Sequence, residues 1–193
     1  MATYLAVTGV LTALRDALDA RISELAAEMT NPSVALLGSQ QLRDDPAGNT
    51  LGIYLHRISV DPYGRNRYLP AQRPGHAPRP ELPVNLHVLL VGRSLSASTE
   101  ITLVAWAMQQ IGAAMELDAA HMAAIDPSWS SQERLQIIPE EMSTEDLMRV
   151  WDSLPGDYRL SSPYLVKTLR LEPVNPVTQG PPVTSIVLPM ESL

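Results

Sequence analysis

The stretch from Leu51 to Val91 restricts the possible folds more than any other part of the chain. It consists of an apolar run, LGIYLHRISV, then a proline and arginine segment, DPYGRNRYLPAQRPGHAPRPELP, then a second apolar run, VNLHVLLV. In the second run Val84, Leu86, Val88 and Leu90 share one parity, and Asn85, His87, Leu89 and Val91 share the other. A strand would therefore turn the first set to one face and the second set to the opposite face. A strand apolar on one face and nearly so on the other belongs inside a sheet. The segment between the runs is too long for a hairpin turn. Its prolines, Pro62, Pro70, Pro74, Pro78, Pro80 and Pro83, favour extended polyproline-like backbone over helix or ladder. Two strands joined by a long stiff arm are expected, and loops of that length usually bind something.

Around this centre the periodicity alternates between helix and strand. From Thr3 to Met29 the apolar residues Tyr4, Val7, Leu11, Leu14, Leu18, Ile22, Leu25 and Met29 recur at three and four, which predicts one long amphipathic helix closed by Asn31-Pro32. Such a helix would be about 40 Å long. Ser33 to Leu37 reads as a short strand, and GSQQLRDDPAGNT as a turn-rich connection. Ile101, Val104, Ala105, Met108, Ile111 and Met115 mark the face of a second helix expected to lie on the sheet, with methionine filling gaps in a core that has no phenylalanine. A short helix over residues 118–125 and a short strand over 135–138 follow. Ser143 with Asp146 three residues on is a capping box, with Met142 and Leu147 as its staple, opening a helix buried through Leu147, Val150, Trp151 and Leu154. PYLVKTLRLEP then reads as a strand with Leu165, Leu169 and Leu171 on one parity. The order implies an α/β, more strictly α+β, fold: a mixed sheet with helices packed on it, a long Pro/Arg-rich arm and an extended C-terminal tail. Residues 1–173 form the domain and 174–193 the Pro-rich tail. In that tail Val183 to Leu188 is a β-prone segment free to pair with its own sheet or a neighbour's.

The chain of 193 residues is long enough for one well-buried domain. It has no cysteine, which removes disulfides and thiolate chemistry and fits a reducing compartment. No run is long enough to span a membrane, and the N-terminus lacks the order of a signal peptide, so a soluble cytoplasmic protein without membrane contact is expected. The formal net charge of -7 disfavours nucleic acid as a partner. Between His56 and Pro80, however, five arginines (Arg57, Arg65, Arg67, Arg73 and Arg79) stand against one acid, Asp61. Between Glu116 and Asp157 ten acids face only Arg134 and Arg149. Two readings stay open: two solvated surfaces, or complementary faces through which neighbouring copies meet head to tail and close a ring.

The chemistry that can be read is sparse. There is no dinucleotide-binding or phosphate-binding glycine loop, no nucleophile elbow and no paired-histidine zinc motif. His56 and His87 fall on strands that can be neighbours, so a two-histidine site is geometrically possible. No third ligand is evident, and hydrogen-bonding histidines explain His56, His76, His87 and His121 better than a metal does. Asp44-Asp45 reads as a turn. No catalytic residue, cofactor or metal site is assigned. Arginine in the arm suits docking to carboxylates, although it follows equally from codon bias.

Three blocks, MATYLAVTGVLTALRDAL, then IYLHRISVDPYGRNRYLP with RPELPVNLHVLLV, then LMRVWDSLPGDYRLSSPYLVKTLRLEP, carry a resemblance in that order and spacing. Together they resemble the cap or tail-terminator proteins of extracellular contractile injection systems, the phage-tail-like particles of the antifeeding-prophage type. The resemblance implies a tail-terminator-like fold in a structural protein without catalysis. It further implies a homohexameric ring at the end opposite the baseplate, with the inner tube protein and the sheath protein as partners. The expected interface is the arm, Arg57, Arg65, Asn66, Arg67, Arg73 and Arg79, together with Val183, Ile186 and Leu188 of the tail. Longer relatives carry an extra C-terminal region, so membrane-attachment or cargo roles tied to it are not expected here. A monomeric adaptor and, behind it, a small-molecule enzyme are the alternatives.

Overall fold

The computed structural model describes residues 3–63, 68–69, 79–113, 116–117, 129 and 134–172, with backbone alone at 68–69 and 79–80. Its centre is the expected pair of long strands. Strand β2 (Thr50–Val60) lies antiparallel to β5 (Leu82–Arg93), and the arm leaves from the end of one and returns to the start of the other. At about 3.3 Å per residue each strand is roughly 35–40 Å long, enough to cross the whole domain. Around them stand β1 (Ser33–Leu37), β7 (Leu135–Pro139), β8 (Ser161–Leu171) and the two-residue β6 (Glu116–Leu117). The six-stranded order is β1-β2-β5-β8-β7-β6, so β5 has a partner on both sides, as its two apolar faces require. Among the described strands only β1 and β2 run parallel.

The faces follow the parity of β5. Val84, Leu86, Val88 and Leu90 enter the larger core, which is closed by α1 (Leu5–Asp19), a 3-10 turn (Ile22–Ala27) and α3 (Ala97–Gly112). Leu89 and Val91 enter the second core, with Leu37, Leu42 and Trp151, beneath α2 (Ser39–Arg43) and α4 (Thr144–Asp152). Each fully buried leucine contributes roughly 1.5–3 kcal/mol, and the two-sided burial of β5 makes it the strand the rest packs against. The close approach of α3 is set by Gly92, where a Cβ would stand 2.7 Å from the backbone oxygen of Glu100. On the opposite face the Trp151 indole donates to Ser161 Oγ at 3.0 Å, fastening α4 to β8.

Several expectations are corrected by packing. The long N-terminal helix stops at Asp19, because its Oδ1 accepts from the Val34 backbone N–H at 3.0 Å and ties the helix end to β1. The 3-10 turn then folds back onto α3, where Glu24 Oε2 accepts from Trp106 Nε1 at 3.1 Å and Gln110 Nε2 at 2.8 Å. Asn31 closes the turn in the left-handed region, with φ 46°. The connection after β1 contains α2, because two adjacent parallel strands need a crossover and a helix satisfies its backbone. Ala105, Ile101 and Met108 face outward on α3, so Met108 does not fill the core; Leu103, Trp106 and Ala107 do. The arm includes a short ladder, β3 (Tyr68–Leu69) with β4 (Arg79–Pro80). In β8 the register to β5 slips between Val84/Leu169 and Leu86/Val166, so Val166 and Leu169 share the larger core despite opposite parity. At α4 the Ser143 hydroxyl caps the N–H of Asp146 at 3.0 Å, and the same hydroxyl donates to the Asp146 carboxylate at 2.7 Å. The helix expected over 118–125 and the whole tail lie outside the described residues.

Candidate functional site

The strongest concentration of chemistry lies where β2 nears the arm. The β2/β5 register runs Leu55 to Val88 and then Arg57 to His87, leaving His56 as the extra residue of a β-bulge. A bulge sets two residues of one strand against one of its partner, which brings both His56 and Arg57 to His87. The two imidazoles meet edge to face, with centroids 5.9 Å apart and planes at 68°. Arg57 Nη2 stands 3.4 Å from Nδ1 and 3.3 Å from Nε2 of His87.

Glu140 completes the group from the end of β7, where its backbone N–H donates to the Pro163 carbonyl at 3.1 Å. Its Oε1 lies 2.6 Å from His87 Nδ1 and 3.9 Å from Arg57 Nη2, and its Oε2 lies 3.9 Å from His56 Nε2. With Nδ1 donating to Glu140, His87 Nε2 is left to accept from the Ser59 hydroxyl at 2.7 Å. The side chains of His56 and His87 are each 6 % exposed and that of Glu140 13 %, whereas Arg57 is 60 % exposed. Among the described residues His56 Nε2 and Glu140 Oε2 are buried without a hydrogen-bond partner. Loss of solvent holds the His56 pKa below its usual 6.5; Glu140 opposes that shift, and His87 and Arg57 reinforce it. A cleft of about 420 Å³ opens onto this cluster and is also lined by Glu141, Met142, Asp146 and Val150.

The arm is rooted beside it. Asp61 donates its backbone N–H to the Pro83 carbonyl at 2.9 Å, accepts from the Tyr63 N–H at 3.0 Å, and takes the Thr168 hydroxyl at 3.3 Å. Glu81, its side chain 6 % exposed, lies 3.3 Å from Arg170 Nε. Both ends of the arm are thus held to β8. On the larger-core face at this same end, Ile58, Val60 and Leu82 are exposed apolar residues beyond the reach of the helices.

Of the residues singled out from the sequence, Arg57 lies in the cluster, and Arg79 is described only through its backbone in β4. Arg65, Asn66, Arg67, Arg73, Val183, Ile186 and Leu188 lie outside the described residues, as do His76 and His121. The neighbouring positions of His56 and His87 hold. Glu140 was missed because no local spacing links it to them; only the pairing of β7 with β8, and of β8 with β5, brings it there. At this point a residue of the acidic segment meets an arginine of the basic one inside a single chain.

Comparison with curated proteins returned no match. Among solved structures, the chain is similar to the sheath/tube terminator of PVC, an extracellular contractile injection system, in its extended state. That match has 19% identity and TM-score 0.47, over 94% of this chain and 63% of that one. It is also similar to the anti-feeding prophage cap, a tube-terminating cap, with 18% identity and TM-score 0.52 over 91% of this chain and 60% of that one. The chain therefore spans less than two thirds of the length of these structures. The cap shares the mixed sheet with helices packed on it. Residues 9–185 match the family described as the Pvc16 N-terminal domain, and the chain belongs to that family.

Proposed function

We propose that the chain is a structural cap, a tube and sheath terminator that closes the baseplate-distal end of a contractile injection system as a homohexameric ring. The observation that carries this reading is membership of the Pvc16 N-terminal domain family across residues 9–185. The fold likeness to a tube-terminating cap supports it. In this reading the chain works by fit and not by turnover. One face matches the last ring of inner tube protein and sheath protein, and the outer face offers nothing for a further ring to add to. The head-to-tail contacts between copies have a rotation that closes.

The rooted arm is the element suited to reach a neighbour. Asp61 and Glu81 fix where it leaves the sheet, and its arginines suit carboxylates on an adjoining copy or on the sheath. Ile58, Val60 and Leu82 at its root offer apolar area to the same contact. Among the described residues no helix is long and apolar enough to cross a membrane. We place the chain in the cytoplasm during assembly, within a particle that is then released. Electron microscopy of particles bearing a labelled copy of the chain tests this reading: label at the end opposite the baseplate supports it, and label along the sheath or at the baseplate contradicts it.

A further inference from the structure

We propose that His56, His87 and Glu140 form a binding site for one divalent transition-metal ion of the zinc class. This goes beyond the capping role and does not depend on it. The three side chains come from three elements, and one ligand atom of each lies within 4.8 Å of the other two. An ion about 2.0–2.1 Å from imidazole nitrogen and 2.0–2.2 Å from carboxylate oxygen places tetrahedral donors roughly 3.4 Å apart. The observed separations, 2.6 Å from His87 Nδ1 to Glu140 Oε1 and 3.9 Å from His56 Nε2 to Glu140 Oε2, bracket that value. Those two contacts use different oxygens of the one carboxylate, and the ion would draw both histidines onto donors that already lie within 4.8 Å of one another.

Four further observations fit an ion better than a bare hydrogen-bond network. His56 Nε2 and Glu140 Oε2 are buried and face each other without partners among the described residues, and an ion between them satisfies both. When His87 ligates through Nδ1 its proton resides on Nε2, where Ser59 Oγ at 2.7 Å accepts it; metal-bound histidines are held by such outer partners. The cleft supplies an entry path and room for a water at the remaining position. Two imidazoles and a carboxylate, without thiolate, suit zinc and its neighbours nickel, cobalt and iron. Arg57 opposes the ion by charge, yet it is the most exposed member of the cluster and is free to swing out. In the metal-free chain its guanidinium stands as the cation beside Glu140. The ion would lock β2, β5 and the β7 end together near the root of the arm.

The test is titration of the full purified chain with Co(II), read by its visible absorption, and with Zn(II) in competition by calorimetry. The expected result is one equivalent bound. His56→Ala and Glu140→Gln each weaken affinity at least tenfold, and Arg57→Gln strengthens it. If either weakening variant fails to fold by circular dichroism, X-ray absorption of the Zn(II)-loaded wild-type chain reads the ligands directly: two imidazoles with light oxygen donors are expected. Absence of stoichiometric binding overturns the proposal. So does binding that His56→Ala and Glu140→Gln leave unchanged while His76→Ala or His121→Ala abolishes it, and so does an absorption spectrum without imidazole. None of these results bears on whether the chain caps a particle.

Discussion

Glu140 Oε1 stands 2.6 Å from Nδ1 of His87 across 53 positions of sequence, joining the end of β7 to the most buried strand of the sheet. The contact satisfies a polar nitrogen inside the domain. Glu140→Ala leaves that nitrogen without its acceptor and is expected to destabilise the metal-free chain by about 1–3 kcal/mol. Urea unfolding followed by circular dichroism, in the presence of chelator, measures it. A change within error of zero would mean that water serves His87 equally well.

Gly92 marks the place where α3 lies directly on β5. A methyl group there meets the Glu100 backbone oxygen at 2.7 Å, and a helix backbone cannot step aside as a side chain can. Gly92→Ala is expected to cost about 1–3 kcal/mol through overpacking. At Gly112, the last residue of the same helix, nothing lies within 4 Å, so Gly112→Ala is expected to be neutral or to stabilise slightly. Thermal unfolding of the two variants side by side separates close approach from a general glycine effect.

The pair of long strands was legible in the sequence because β5 is apolar at both parities, a pattern that only a strand with two covered faces explains. That the two strands are not joined by a tight hairpin was legible from the length of the segment between them, whereas its short ladder at Tyr68–Leu69 and Arg79–Pro80 was not. Breaks in regularity were not. The bulge at His56 and the slip before Leu169 depend on what the partner strand needs, and no parity rule contains that information. The end of α1 at Asp19 likewise rests on a contact with Val34 that becomes possible only after β1 has joined the sheet. The cluster was half visible for the same reason. Two histidines sit on strands that the pattern pairs, whereas the carboxylate arrives by way of two further strand pairings.

Reversing charge in the arm tests its role between molecules. Arg65→Glu with Arg67→Glu is expected to impair ring formation or capping while leaving the thermal stability of the isolated chain unchanged. Native mass spectrometry and microscopy of particle ends give the readout. Wild-type ring mass and wild-type particle ends in the double variant would remove the arm from the interface.

Deletion of residues 174–193 tests the tail separately. If Val183, Ile186 and Leu188 add a strand to a neighbour or to the sheath, the truncated chain is expected to cap particles whose sheath detaches after contraction. Sheath retention equal to wild type would assign the tail no part in anchoring.

The most direct measurement is the length distribution of particles assembled with and without the chain, taken from electron micrographs of the same preparation. Termination by this molecule predicts that its loss gives open-ended particles of broad, unregulated length, and that adding it back restores a narrow distribution. Equally narrow lengths with closed distal ends in its absence would contradict the account.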